Sequence, residues 1–138
     1  MDPKLTATEF MEALALYREA RGESKPAKAA MLAVIRNRAT DPEYRWPRST
    51  VGVITQPLQF SSFNSNDPNS KVWPTPGGNP GAWQAWLECC DVVTVPMLAD
   101  PTNGATNYEA IPEGQPRPNW ADPSKMTVQI GKTRFYKL

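Results

Sequence analysis

The sequence predicts an α+β fold, mainly helical with a small sheet or hairpin lobe, and three observations carry that prediction. Apolar residues recur at helical spacing in three stretches, near the N-terminus, after Ser24 and after Ala82. The tail MTVQIGKTRFYKL alternates apolar and polar residues around Gly131-Lys132, as a β-hairpin does. At 138 residues the chain is long enough for one domain with its own core, spanning 1–138, and it shows no internal repeat and no linker.

The first helix is marked by Thr6 and Glu9, spaced as a capping box. Phe10, Ala13, Leu14 and Tyr17 follow at i, i+3, i+4 and i+7, and Gly22 is the expected C-terminal stop. Ala15 and Leu16 lie off that stripe, so this helix is apolar on more than one side, which suits a central position. Ser24 and Pro26 open a second helix through AKAAMLAVIRNRA, whose alanines allow a neighbour to approach closely. From Asp41 to Pro80 the chain reads as mostly irregular, with prolines at 42, 47, 57, 68, 74, 76 and 80 and one short helix in STVGVITQ. A third long helix is expected in AWQAWLECCDVVTVPMLA, with Trp83, Trp86, Leu87 and Cys90 at core spacing and Pro96 kinking or ending it early. DPTNGATNY then reads as a turn leading into a short extended piece, and the hairpin closes the chain.

Composition narrows the chemistry. There is no histidine, which removes Ser-His-Asp and Cys-His mechanisms and histidine zinc sites together. Acid–base work falls on carboxylates, tyrosines or lysines. Cys89 and Cys90 are adjacent and cannot staple distant segments, so the fold does not depend on disulfides. A net charge of +1 supplies no global field towards nucleic acid or anionic lipid, and no nucleic-acid partner is expected despite the basic stretch RNRATDPEYRWPR. The N-terminal MDPKLTATEFMEAL has no basic segment followed by an apolar run, and no run approaches the roughly 20 residues a bilayer requires. These features predict a soluble monomer made in the cytoplasm, with no stable membrane association, no metal and no cofactor.

The stretch YREARGES carries the sharpest candidate. Glu19 stands in the last turn of the first helix, where the partial negative charge of the helix end disfavours a carboxylate. A catalytic acid needs a setting that keeps its proton, and the neighbouring Ala15 and Leu16 predict a dry pocket for Glu19. The alternative is a solvated glutamate paired with Arg18, Arg21 or a lysine. Glu23, four residues on, suits either the start of the second helix or a second carboxylate that positions water. In QPLQFSSF, Gln59, Phe60 and Ser61 interleave amide, aromatic and hydroxyl groups as a sugar cleft does, and as an ordinary half-buried loop also does. Tyr108 closes DPTNGATNY and suits a cleft hydroxyl or a core lid, while Trp46 and Trp73 sit in polar loops where a sugar ring can stack. Arg36 and Arg38 read as salt-bridge partners rather than ligand clamps.

Taken together, ALYREARGES, AMLAVIRNRA, WPRSTVGVITQPLQFSSF, DPTNGATNY and IGKTRFY resemble, in order, the blocks of the SleB-like cell wall hydrolases of the spore-cortex-lytic type. The resemblance implies a lysozyme-like domain that cuts the glycan strand of bacterial peptidoglycan between N-acetylmuramic acid and N-acetylglucosamine. It makes Glu19, the first glutamate of EARGE, the essential acid, and it places Gln59, Phe60, Ser61 and Tyr108 in the substrate cleft. Relatives often carry a histidine after that tyrosine and another in the final block; here Glu109 and Thr133 stand instead. Glu109 is therefore expected to bring a new carboxylate to the cleft, and with Glu23 and Asp100 it is a candidate second acid.

Two chemical outcomes follow from the resemblance. A lytic transglycosylase needs Glu19 alone, whereas a hydrolytic muramidase needs a second carboxylate; the former is the expectation. A wall-binding module that kept the cleft and lost the chemistry is the rival from another class. The compact chain also resembles a phage-type endolysin, which would reach the wall after release through a holin.

Overall fold

The computed structural model describes residues 4–56, 60, 63–64, 66–110 and 114–138. Four α-helices, α1 (Ala7–Ala20), α2 (Lys25–Ala39), α3 (Thr50–Thr55) and α4 (Pro80–Thr94), precede and surround a three-stranded sheet. Its strands are β1 (Asn107–Glu109), β2 (Met126–Ile130) and β3 (Thr133–Tyr136), antiparallel throughout and ordered β1-β3-β2. The chain is thus mostly helical with a small antiparallel sheet, as the sequence predicts.

The helix starts follow their capping residues. Thr6 Oγ1 accepts from the Glu9 amide at 3.1 Å and Glu9 Oε1 accepts from the Thr6 amide at 2.9 Å, completing the capping box. Ser24 caps α2 ahead of Pro26, and Ser49 caps α3. α4 begins at Pro80, earlier than the apolar spacing implies, because Asn79 Oδ1 takes the amides of Gly81 and Ala82 and Pro80 sits where its missing N–H costs nothing. Thr94 ends α4, one residue short of the position before Pro96, where helical geometry is disfavoured. Gly22 is not the left-handed stop it resembles: α1 ends at Ala20 with Arg21 still in right-handed geometry, and Gly22 has no positive φ.

α1 is the centre of the molecule. Leu14, Leu16 and Tyr17 join α4 and the sheet residue Phe135 in one core cluster, while Ala15 packs with Ile35, Val53, Ile54 and Phe60 in a second. Phe10, expected on the core stripe, is 36% exposed and meets only the edge of Trp86, with centroids 5.7 Å apart. α2 and α4 are tied by the buried Lys28, whose Nζ lies 2.9 Å from Glu88 Oε1. Cys89 and Cys90 are free and buried, and burial pushes their thiols up to about 12 and about 11, so they behave as small apolar core residues.

Both faces of the sheet are covered. Phe135 and its neighbour across the ladder, Tyr108, face the helices, while Tyr136 faces the opposite way under Trp120, with ring centroids 5.4 Å apart. The hairpin turns at Gly131, whose φ of +60° suits glycine, and a bulge falls between Met126 and Val128.

Leu14→Ala should cost about 2–5 kcal/mol in urea unfolding, because it opens a cavity between α1 and α4, and Phe10→Ala should cost less. Equal losses at the two positions would contradict the placement of Phe10 at the rim.

Candidate active site

From Glu12 to Ala20 every residue of α1 is buried except Glu19. A helix packed against α2, α3 and α4 has no solvated face left in its last two turns, and Glu19 is the one window. The expectation of a dry pocket for Glu19 is therefore not met: its side chain is exposed. The reason is angular. Ala15 and Leu16 face the two cores, and Glu19 projects between them towards solvent.

The window nevertheless opens beside chemistry. Tyr108 lies within the field of Glu19: its phenol is pushed well above the ordinary tyrosine range, first by burial and then by the Glu19 charge, with Arg38 opposing. Tyr108 thus keeps its proton, a neutral hydroxyl within the field of Glu19.

α2 sets this arrangement. Asn37 Nδ2 donates to Asp100 Oδ2 and to the Ala105 carbonyl, both at 2.9 Å, and Arg38 Nε donates to the Thr106 carbonyl. Two successive residues of AVIRNRA thereby dock the DPTNGATNY block and fix where β1 begins. Arg38 is buried, against the rings of Trp46 and Phe60, and burial lowers its pKa within a range where it remains charged. The salt-bridge expectation holds for Arg36, 3.7 Å from Glu12, while Arg38 donates to a backbone carbonyl. The signal was available: Met31, Val34, Ile35 and Arg38 follow i, i+3, i+4, i+7, which puts an arginine on the apolar stripe.

The DPTNGATNY turn is built by Asp100. Its Oδ1 accepts from the Thr102 amide at 2.7 Å and hydroxyl at 2.6 Å, and its Oδ2 accepts from the Gly104 amide at 2.8 Å. Burial pushes this carboxyl up, but these bonds and the one from Asn37 outweigh it and hold the pKa below the usual carboxylate range. Gly104, at φ +86°, supplies the left-handed step that follows. Asp100 is committed to this turn, and it is not a second acid.

Glu109 is not in the cleft either. Successive strand residues point to opposite faces, so with Tyr108 towards the helices Glu109 lies on the outer face. There it accepts from the Tyr136 hydroxyl at 2.9 Å and from Arg134 Nη1 at 3.2 Å. Glu23 is half-buried in the turn between α1 and α2, with its amide donating to the Ala20 carbonyl. Gln59 and Ser61 lie outside the described residues. Phe60 is buried in the second core cluster and contributes to the wall of a cavity of about 250 Å³ that it shares with Arg38, Asn107, Tyr108 and Trp120.

Arg18 and Arg21 have other work. The Arg18 guanidinium donates to the Ser70 and Val72 carbonyls at 3.0 and 3.1 Å and lies against the rings of Phe63 and Trp73, clamping residues 70–73 to α1. Arg21 donates to the Tyr17 and Arg18 carbonyls at the end of its own helix. A larger cavity of about 560 Å³ lies between the starts of α1 and α4, but Leu5, Phe10, Met11, Pro76, Trp83 and Trp86 make it apolar. It sits roughly 15–20 Å along α1 from Glu19 and holds no acid.

A model of the Cell Wall Hydrolase family matches residues 22–136 of this chain. That match begins just after Glu19. Two solved structures extend the likeness over nearly the whole chain. The catalytic domain of the germination-specific lytic transglycosylase SleB from Bacillus anthracis is 27% identical, with a TM-score of 0.64 over 99% of this chain and 100% of that one. The catalytic domain of the Bacillus cereus SleB protein is 28% identical, with a TM-score of 0.62 over 98% of this chain and 94% of that one. No curated protein matches at a significant level.

Replacing Asp100 with asparagine should cost about 1–3 kcal/mol at neutral pH, the scale of losing hydrogen bonds to a charged acceptor. The folded pKa is depressed, so this contribution is present above the unfolded value of about 3.9 and is lost as pH falls through the folded value. Urea unfolding of the two proteins should show a constant gap from pH 7 to 5, closing below about pH 4. A gap that persists undiminished in acid would contradict the charged-acceptor role.

Proposed function

The chain belongs to the cell wall hydrolase family, and from that premise we propose that it cuts peptidoglycan glycan strands as a lytic transglycosylase with Glu19 as acid and then base. The bond is the one between N-acetylmuramic acid and N-acetylglucosamine. The observation that carries the reading is the single opening in the buried length of α1, at Glu19, whose charge is felt by the buried Tyr108 phenol.

Glu19 donates its proton to the glycosidic oxygen as that bond breaks, and the departing sugar leaves as an alcohol. The carboxylate left behind then takes the proton from the C6 hydroxyl of the muramic acid. That oxygen closes on C1, giving a 1,6-anhydro ring and returning Glu19 to its acid form. No water is consumed. The glycan itself supplies the dry surroundings that the free protein lacks: lying over Glu19, it displaces water, and loss of water favours the neutral acid. Tyr108, which keeps its proton, is the proposed hydrogen-bond donor to the carboxylate once formed.

The one-acid route is favoured over a hydrolytic muramidase because two of the three candidate second carboxylates are committed elsewhere. Asp100 builds its turn and Glu109 is held on the outer face of the sheet. Glu23 is the remaining candidate for a hydrolytic outcome. In this reading the protein works as a monomer on the wall, released there as phage endolysins are, without nucleic acid and without stable membrane association.

Glu19→Gln keeps the shape and removes the transferable proton. Release of soluble glycan from purified walls should fall by about 10²–10⁴-fold while sedimentation with the walls is unchanged. Lysis at near wild-type rate would remove Glu19 from the mechanism, and a protein that binds but never lyses, even unsubstituted, would be a wall-binding module.

A further inference from the structure

We propose that Glu109 is a positioning residue for the glycan-cutting reaction: from the outer face of the sheet its carboxylate holds β1 in place and so sets where the Tyr108 hydroxyl stands. It acts through Tyr108 and touches no substrate.

β1 depends on such a tie. It is three residues long, lies at the edge of the sheet and pairs with β3 alone. A strand this short, bonded along one side, orients its side chains only as firmly as its two ends are held. At its start, three bonds meet on Thr106. The amide donates to the Tyr136 carbonyl at 2.9 Å, the carbonyl accepts from Arg38, and the hydroxyl accepts from the Leu138 amide at 3.3 Å. At its other end, among the described residues, the side-chain ties are those of Glu109.

These ties bracket the pair that carries the hydroxyl. Tyr108 stands opposite Phe135 in the ladder and Glu109 opposite Arg134. The Glu109 carboxylate meets Arg134 beside it and Tyr136 across the diagonal, the two neighbours of Phe135 on β3. Tyr136 is fully buried and in turn accepts from Arg117 Nη1 at 3.3 Å. Burial first, and the bond to Glu109 next, push its phenol above the ordinary range, so it stays a donor to Glu109. Neighbours on a strand point to opposite faces, so a tilt that follows release of Glu109 also turns Tyr108. The hydroxyl lies at the far tip of that side chain, and a misplacement of about 1 Å can slow a reaction by about a hundredfold.

Position rather than charge is at issue. Both bonds end on Glu109 Oε1, while Oε2 is shielded and has no hydrogen-bond partner among the described residues. Glutamine can keep both bonds with its carbonyl oxygen and place its amide where the idle oxygen lay. Leucine keeps neither.

The inference rests on the reading of Tyr108 as the donor to Glu19, and a mutant cycle separates the two. Turnover of soluble glycan strands and urea unfolding are measured for Glu109→Leu, Glu109→Gln, Tyr108→Phe and the Glu109→Leu/Tyr108→Phe double variant. Glu109→Leu and Tyr108→Phe should each lower kcat about tenfold with KM little changed, and Glu109→Gln should stay within about threefold of the unsubstituted protein. In the Tyr108→Phe background, Glu109→Leu should cost no further kcat although it still lowers stability. If Glu109→Leu does not fold, Tyr136→Phe removes the same bond from the other strand and takes its place in the cycle. Losses that multiply in the double variant, or a Glu109→Leu protein that is less stable but turns over at full rate, overturn the inference. So does a Glu109→Gln protein as slow as Glu109→Leu, which would make the charge the working feature. Full kcat in Tyr108→Phe alone would remove Tyr108 from the reaction and Glu109 with it, while the role of Glu19 is read separately from Glu19→Gln.

Discussion

Everything at the site depends on the second half of α1 being packed against α2, α3 and α4, so that from Glu12 to Ala20 Glu19 alone is exposed. A carboxylate on a fraying helix end would wander; this one is the only solvated position in a buried stretch, so its backbone is fixed by the two cores that hold Leu14, Tyr17 and Ala15. Preorganisation of this kind is what positions a general acid within reach of a bond. Arg18, one residue earlier, extends the same rigidity outwards by holding the Ser70 and Val72 carbonyls and the rings of Phe63 and Trp73.

The charges around the window are arranged by commitment rather than by proximity. Asp100 spends both oxygens on its turn and on Asn37, Glu109 accepts from Tyr136 and Arg134, and Arg38 donates to the Thr106 carbonyl. Tyr108, which feels the charge of Glu19, keeps its proton. In the proposed reading, internal attack by a substrate hydroxyl needs Glu19 alone, whereas activation of water would call on Glu23 as a second base. The docking of DPTNGATNY onto Asn37 and Arg38 explains why blocks far apart in sequence make one site.

Much of this was legible in the sequence where the signal is local. The capping box, Ser24 with Pro26, the stop before Pro96 and the hairpin at Gly131 all rest on short-range chemistry, and all appear. The failures are tertiary. Gly22 has the right residue type for a left-handed cap, but the chain passes into α2 without needing one. Phe10 keeps the helical period yet falls beyond the edge of α4's cover. The dryness expected around Glu19 required knowing which way a helix apolar on several sides leaves its gap. Glu109 was misplaced although strand parity held the answer, since it follows Tyr108 directly and must face away from it. Arg38 carried no site expectation, because its bond to the Thr106 carbonyl comes from the turn that docks over the end of α2.

The most direct measurement is the fate of the cut glycan end when purified walls are digested in water enriched in heavy oxygen. One-acid chemistry at Glu19 predicts anhydro-muramic termini that carry no heavy oxygen, since the C6 hydroxyl and not water closes the reaction. Reducing termini labelled at C1 would contradict it and would require a second carboxylate that activates water beside α1.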